Sequence, residues 1–341
     1  MTVGAQTLKI ILLDSVKEAK DSVTVPATGL ATKAGWHTSG CLPMGPSCLG
    51  FAQLPTGRIF TALNQADYPY YSDDDGATWH HLTNFPVKGI AQSLVATPQN
   101  EILITIPTSG IYYSADKGQT WQQRQTGLPN NLYNDVRCTA SGVLIFRTYT
   151  GPGPYYSTDK GVTWQLADAT GIIGPGPAGD NSSDAQSMSD GTILAFFNGV
   201  LTKSRTNGAS WKTIFTANYH TYSMLVDSNN YIFLGGAATP YNTAGIYESK
   251  DTGATWTQPY TGAELAGPDR SVSQLSVKNG YYYFYATENN ILKQTRDFVN
   301  YSVVGPPISN NGGRYSYRYL VTNSNHFILS VEFQGLFYQT P

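Results

Sequence analysis

The feature that constrains this chain most is a ten-residue segment that returns at nearly even intervals. It reads Y-Y-S-D-D-D-G-A-T-W at 70–79, Y-Y-S-A-D-K-G-Q-T-W at 112–121, Y-Y-S-T-D-K-G-V-T-W at 155–164, T-K-S-R-T-N-G-A-S-W at 202–211 and Y-E-S-K-D-T-G-A-T-W at 247–256. The closing tryptophans, Trp79, Trp121, Trp164, Trp211 and Trp256, lie 42, 43, 47 and 45 residues apart. One step upstream lands on Trp36. One step downstream lands on Tyr301, at the end of L-K-Q-T-R-D-F-V-N-Y, a decayed copy without the Ser, Gly and Thr. All six tryptophans fall on this lattice. A fixed period of this length marks an array of supersecondary units.

A second signal lies between the copies: an apolar run, a turn residue, then another apolar run. The turn residues are Gly57, Asn100, Gly142, Gly191, Asn230, Gly280 and Asn325. Gly and Asn are the residues that accept positive φ, so each position predicts a tight hairpin. Each unit then holds two hairpin strands, an aromatic strand leading into the box, and a Trp strand. Seven such units predict an all-β fold: a single seven-bladed β-propeller of four-stranded antiparallel blades. The last unit stops at G-L-F-Y-Q, one strand short, while A-G-W-H-T around Trp36 has no unit before it. The N-terminal strand is therefore expected to complete the C-terminal blade. The expected division is an N-terminal extension, 1–30, and a propeller, 31–341.

Ser114-A-Asp116-K-Gly118-Q-Thr120-Trp121 resembles the Asp-box (BNR) repeat of sialidase-like propellers, and the resemblance extends over residues 31–341. It implies that each box is a turn between a blade's third and fourth strands, with its Asp bonded to the turn backbone and its Trp packed between blades. Those roles carry over to Asp74, Asp116, Asp159 and Asp251. The fourth box has Thr206 in place of Asp, and the sixth has lost the motif, so those two turns are expected to be held otherwise.

Sialidases also imply an arginine triad, an early Arg-Ile-Pro and a Tyr nucleophile. Here Arg58-Ile59 lacks the Pro, and Arg137, Arg147 and Arg318 near the inner strands match no known order. Other glycosidases need two carboxylates at close range. Seven residues before each hairpin turn stand Gly50, Ser93, Asp135, Asp184, Ser223, Ser273 and Arg318, a small polar column suited to line a central channel. Asp135, Asp184 and Arg318 are its charged members, either a structural ion pair on a solvated wall or a hydrolytic pair.

Smaller motifs lack context. G-P-G-P-A-G at 174–179 has prolines and no following helix, so it is no dinucleotide loop. Asp73-Asp74-Asp75-Gly76 lacks the spacing and terminal Glu of an EF-hand loop. Five scattered histidines and three cysteines offer no zinc pattern, so neither metal nor cofactor is expected. Cys41 and Cys48 are close enough in sequence to close a small loop, and Cys138 reads as a buried thiol.

Charged residues are 13% of the chain, about half the usual ~25%, and the formal charge is −2 without a basic run. Nucleic-acid binding is not indicated. Ile10-Ile11-Leu12-Leu13 is far too short to span a membrane, and no Sec signal is visible. What remains are the connections after the Trp strands, rich in Gly, Asn, Ser and Tyr, where a rigid scaffold concentrates binding. The candidates are Asn130, Asn131 and Tyr133; Tyr219, His220 and Tyr222; Asp269 and Arg270; and Asn310, Asn311, Arg314 and Tyr315. The expected function is non-catalytic recognition of a cell-surface glycan or receptor, as a lectin-like adhesin or a viral spike or tail protein at an extracellular or virion surface. Residues 1–30, with 6 of the chain's 44 charges, are expected either to dock on another assembly protein or subunit or to cover the propeller's own edge. The alternatives are a sialidase-type glycoside hydrolase and an intracellular assembly factor, since photosystem II assembly factors resemble seven-bladed propellers of this size.

Overall fold

The computed structural model describes residues 7–13, 19–26, 36–39, 48–64, 66–107, 109–129, 135–147, 153–172, 184–197, 200–216, 219–238, 245–261, 272–286, 291–304, 317–331 and 335–339. Seven antiparallel sheets follow one another as blades. Blade 1 runs from Cys48–Gln53 to His80–His81 and blade 2 from Ser93–Ala96 to Gln122–Gln123. Blades 3 to 6 begin at Val136–Cys138, Asp184–Ser187, Tyr219–Val226 and Val272–Lys278. Blade 7 has Tyr317–Val321, Phe327–Val331 and Gly335–Gln339, and its fourth strand is Trp36–Thr38. The N-terminal strand thus closes the ring, as the unmatched ends of the repeat require. Ser39 adds a backbone bond to Leu336 O (2.9 Å) and an Oγ bond to Gly76 O on blade 1 (2.6 Å).

All seven predicted turn residues have positive φ, from 62° at Asn230 to 107° at Gly57. That backbone conformation is open to Gly and, among other residues, mainly to Asn and Asp. The register follows from the turns. Gly50, Ser93, Asp184, Ser223, Ser273 and Arg318 pair with Ala62, Thr105, Phe196, Gly235, Tyr285 and Ser330, each five residues after its turn. Asp135 directly precedes Val136, which pairs with Phe146, so it occupies the same place in blade 3.

The core is divided among the blade interfaces. Among the described residues there are seven apolar clusters, each drawn from two neighbouring blades, with the last joining blade 7 to blade 1. Second strands feed both sides: Ile193, Ala195 and Phe197 face blade 3, while Leu194 and Phe196 face blade 5. Burial on both faces explains why these strands read as largely apolar runs, interrupted by buried residues such as Thr61, Thr105 and Ser330. The tryptophans seal the outer ends, Trp79 at 1% exposure beside Ile328 and Leu336 of blade 7, and Trp36 at 2% beside blade 6.

Two additions lie outside the repeat. Asp168–Gly171, leaving blade 3, adds to the outer strand of blade 4 in parallel, covering an otherwise open edge. Thr7–Leu13 and Ala19–Pro26 form a separate two-stranded hairpin. Cys48 is a free, buried thiol against Thr61 Oγ1 (3.0 Å), and Cys138 is a free, half-buried one. Cys41 lies outside the described residues. Burial pushes the Cys48 thiol up to about 11, where it is protonated and inert.

Candidate functional site

Each regular box corner is a small network of hydrogen bonds around one serine and one aspartate. In corner 2 the Ser114 hydroxyl donates to Asp116 Oδ1 (2.7 Å) and accepts Gly118 N–H (2.8 Å). Asp116 then accepts Thr120 N–H (2.8 Å) on one oxygen and the Thr120 hydroxyl (2.6 Å) on the other. Corners 1, 3 and 5 repeat this with Asp74, Asp159 and Asp251. Gly118 has φ +86°, and a Cβ there would meet the Phe60 ring at 3.1 Å, so the glycine is required twice over. Hydrogen bonds from Thr120 hold the Asp116 carboxyl down to about 2, and those from Thr255 do the same for Asp251.

The two irregular corners are held by related means. In corner 4, Thr206 Oγ1 accepts Ser210 N–H (2.9 Å) and meets Ser210 Oγ (2.9 Å). Corner 6, where the motif reads as lost, keeps a carboxylate. Asp297 Oδ1 accepts the amides of Val299 (2.9 Å) and Asn300 (2.8 Å), and its Oδ2 accepts Asn300 Nδ2 (2.9 Å). Thr295 replaces the box Ser and Asn300 the box Thr, in a turn that is one residue shorter. Blade 7 borrows its fourth strand from the N-terminus, so the ring has six such corners, one fewer than its blades.

The corners are also tied to neighbouring blades. Arg58 bonds Asp73 through Nε and Nη2 (both 2.7 Å) and reaches Lys117 O of corner 2 through Nη1 (2.8 Å). Arg124 reaches Lys160 O of corner 3 (2.9 Å), and Lys160 Nζ meets the buried Glu101 (2.6 Å), which also accepts Tyr113 OH (2.6 Å). His326 of blade 7 faces Asp75 of corner 1 (3.2 Å). Arg58, Arg124, Lys160 and His326 thus each link one blade to the next.

The first strands lie inward and pack on one another around the ring. Asp135 and Asp184 come together there, on blades 3 and 4, and the cation between them is Arg137. Its Nη2 bonds Asp135 Oδ2 (2.7 Å), and its Nε is 4.0 Å from Asp184 Oδ1. Arg318 stands across the ring on blade 7, with Nε donating to Leu49 O of blade 1 (3.4 Å). Counting back from the turns passes over Arg137. The signal that finds it is the i, i+2 spacing from Asp135, which puts both on one side of a strand.

Asp184 is further engaged, accepting Ala185 N–H on Oδ1 (2.9 Å) and Met224 N–H of blade 5 on Oδ2 (3.2 Å). Burial among the inner strands raises its carboxyl above the ordinary value, against the pull of Arg137 and of these amides. The same burial acts to lower Arg137, but Asp135 and Asp184 outweigh it and hold the guanidinium charged. Beside this cluster, Gln186 bridges to blade 5 through Met224 O (2.7 Å) and Val226 N (2.8 Å). Among the described residues no group of His, Cys, Asp and Glu is arranged to hold a metal ion.

Of the loop candidates, Asn130, Asn131, Tyr133, Asp269, Arg270, Asn310, Asn311, Arg314 and Tyr315 lie outside the described residues. Tyr219, His220 and Tyr222, expected in a loop, lie instead on the first strand of blade 5, where residues 219–221 pair with the second strand.

The BNR/Asp-box repeat family matches residues 70–81 and 155–166, which are corners 1 and 3. No curated protein matches this sequence. Among solved structures, YCF48 bound to D1 peptide is similar over 91% of this chain and 98% of its own, at TM-score 0.63 and 13% identity. The extracellular domain of a putative hybrid two component system from B. thetaiotaomicron aligns over 90% of this chain and 40% of its own, at 0.65 and 13%. A GH74 xyloglucanase from Xanthomonas campestris aligns over 87% and 43%, at 0.59 and 15%. At such identities the likeness is one of fold.

Proposed function

We propose that the chain is a non-catalytic binding propeller that recognises a cell-surface glycan or receptor, as a lectin-like adhesin or a viral spike or tail protein at an extracellular or virion surface. The chief support is the state of the channel acids. Asp135 is paired with Arg137 at 2.7 Å, and both oxygens of Asp184 accept backbone amides. A hydrolytic pair needs one carboxyl free to donate a proton and a second free to attack or to activate water. Here Asp135 is spent on Arg137 of its own blade, and Asp184 on contacts with Arg137 of blade 3 and Met224 of blade 5. Recognition then falls to the connections that leave the Trp strands, where Tyr and Asn are concentrated. A protein receptor stands beside a glycan as ligand class, because YCF48, a propeller of the same fold, is bound to a peptide.

The test is binding and turnover measured on the same full-length protein. Glycan arrays and susceptible cells are expected to give saturable binding that falls at least tenfold in Tyr133→Ala or Tyr315→Ala, with no sugar released. Sugar release that disappears in Asp135→Asn or Asp184→Asn would overturn the proposal in favour of glycoside hydrolysis.

A further inference from the structure

The N-terminal hairpin is the one described element that belongs to no blade. Thr7–Leu13 pairs with Ala19–Pro26, placing Leu8 opposite Val25, Ile10 opposite Val23 and Leu12 opposite Asp21. With a period of two, Leu8, Ile10, Leu12, Asp21, Val23 and Val25 share one face, and Thr7, Lys9, Ile11, Ser22, Thr24 and Pro26 share the other. A two-stranded sheet on its own is marginal in water; three or more strands with an apolar face are needed for independent stability.

The two outer edges of this hairpin differ. The Ala19–Pro26 strand carries Lys20, Asp21 and Pro26, and its register shifts between Leu12 and Leu13 because Lys20 is an extra residue. Charge, proline and a bulge are the devices that stop an edge from pairing. The Thr7–Leu13 strand, T-L-K-I-I-L-L, has none beyond Lys9 and is five-sevenths aliphatic. Among the described residues one edge is blunted and the other is left open.

We propose that the open edge pairs with a second copy of this chain: two Thr7–Leu13 strands run antiparallel across a two-fold axis at Ile10, giving one four-stranded sheet. The sequence suits its own reversal. Leu8 falls opposite Leu12, Lys9 opposite Ile11 and Thr7 opposite Leu13, so no like charges stand directly opposite each other, and the two Lys9 are diagonal neighbours. Residues 1–30 carry Lys9, Lys17 and Lys20 against Asp14, Glu18 and Asp21, a net charge of zero that imposes no repulsion between copies. Both outer edges of the joined sheet are the blunted Ala19–Pro26 strands. The assembly therefore closes at two copies, as an isologous interface does, and does not grow into a filament. The pairing places two propellers in one particle, which raises avidity for any ligand displayed in many copies.

Light scattering on the full-length chain at micromolar concentration is expected to give twice the 37.1 kDa chain mass. Ile10→Lys, which sets two charges against each other at the axis, is expected to give monomers with an unchanged propeller melting temperature; so is removal of residues 1–30. Ile10→Cys places the same residue of both copies face to face and is expected to cross-link most chains under mild oxidation. The wild-type protein, with its three native cysteines, is the control that does not. A monomeric or trimeric wild-type mass overturns the proposal, as does a dimer that persists in Ile10→Lys or without residues 1–30. A dimer whose Ile10→Cys variant fails to cross-link overturns the two-fold pairing at Ile10.

Discussion

Corners 4 and 6 of the ring depart from the box in opposite directions. Corner 4 keeps Ser204, Gly208 and Trp211 but has Thr206 for the aspartate; corner 6 has neither Gly nor Ser but keeps Asp297. Both still bond the amide that the regular corners bond, through Thr206 Oγ1 to Ser210 N–H and through Asp297 Oδ1 to Asn300 N–H. What the corner demands is an acceptor at one point, and either a hydroxyl or a carboxylate supplies it. That is the behaviour of a structural turn. A ligand-binding acid would not be exchanged for a neutral threonine at one corner of six.

The comparison breaks most readily at corner 6. Phe298 takes the positive φ (55°) that Asp75, Lys117, Lys160, Asn207 and Thr252 take at the same place in the other corners, and its ring is buried against Phe233 (5.3 Å, stacked) and Tyr282 (4.8 Å). A bulky residue in this conformation is strained, and the ring's packing offsets the strain. Phe298→Ala keeps the backbone problem and removes that packing, so it is expected to cost about 3–5 kcal/mol, measured by urea unfolding. A loss below 1 kcal/mol would mean that Asp297 alone holds the turn.

At corner 2 the carboxylate itself is the variable. Asp116→Ala removes the acceptor of the Thr120 amide and hydroxyl and leaves the Ser114 bond to Gly118 in place. The expected cost is about 1–2 kcal/mol. It also has a pH signature. The folded Asp116 titrates at about 2, below the ~3.9 of an unfolded aspartate, so its contribution is fully present above pH 4 and is lost as pH falls towards 2. The gap between wild type and Asp116→Ala should therefore narrow across that window. A gap that stays constant from pH 7 to pH 2 would show that the carboxylate's charge contributes nothing.

How much of this could be read from the sequence depends on how local the cause is. The seven hairpin turns were legible because positive φ selects Gly or Asn at a single residue, and the turns in turn fixed the register that aligns Gly50, Ser93 and Asp184. Blade closure was legible from an unpaired strand at each end. Corner 6 was not, because Asp297 works in a turn one residue shorter than the motif. Nor was the Asp135–Arg137–Asp184 cluster: spacing within one strand says nothing about which neighbouring blade a side chain meets. Asp184 could be placed on an inner strand from its position, but Arg318, in the same column, faces blade 1 and stands far round the ring.

The finest test exchanges the missing group at corner 4. Thr206→Asp would set a carboxylate within reach of the Ser210 amide and hydroxyl, now bonded by Thr206 Oγ1 at 2.9 Å each, and of Ser204 Oγ, now at 3.3 Å. Charge-assisted bonds are stronger than neutral ones, and the backbone already accommodates the motif, with Asn207 and Gly208 at φ 54° and 89°. A gain of about 0.5–1 kcal/mol at pH 7 is expected, read from the urea midpoint at unchanged slope. Because the gain belongs to the ionised form, it should vanish as the new carboxyl is protonated on the way to pH 2. A variant that is no more stable than wild type at pH 7 would mean that the threonine already satisfies the corner, and that the aspartates elsewhere are kept for something other than the turn.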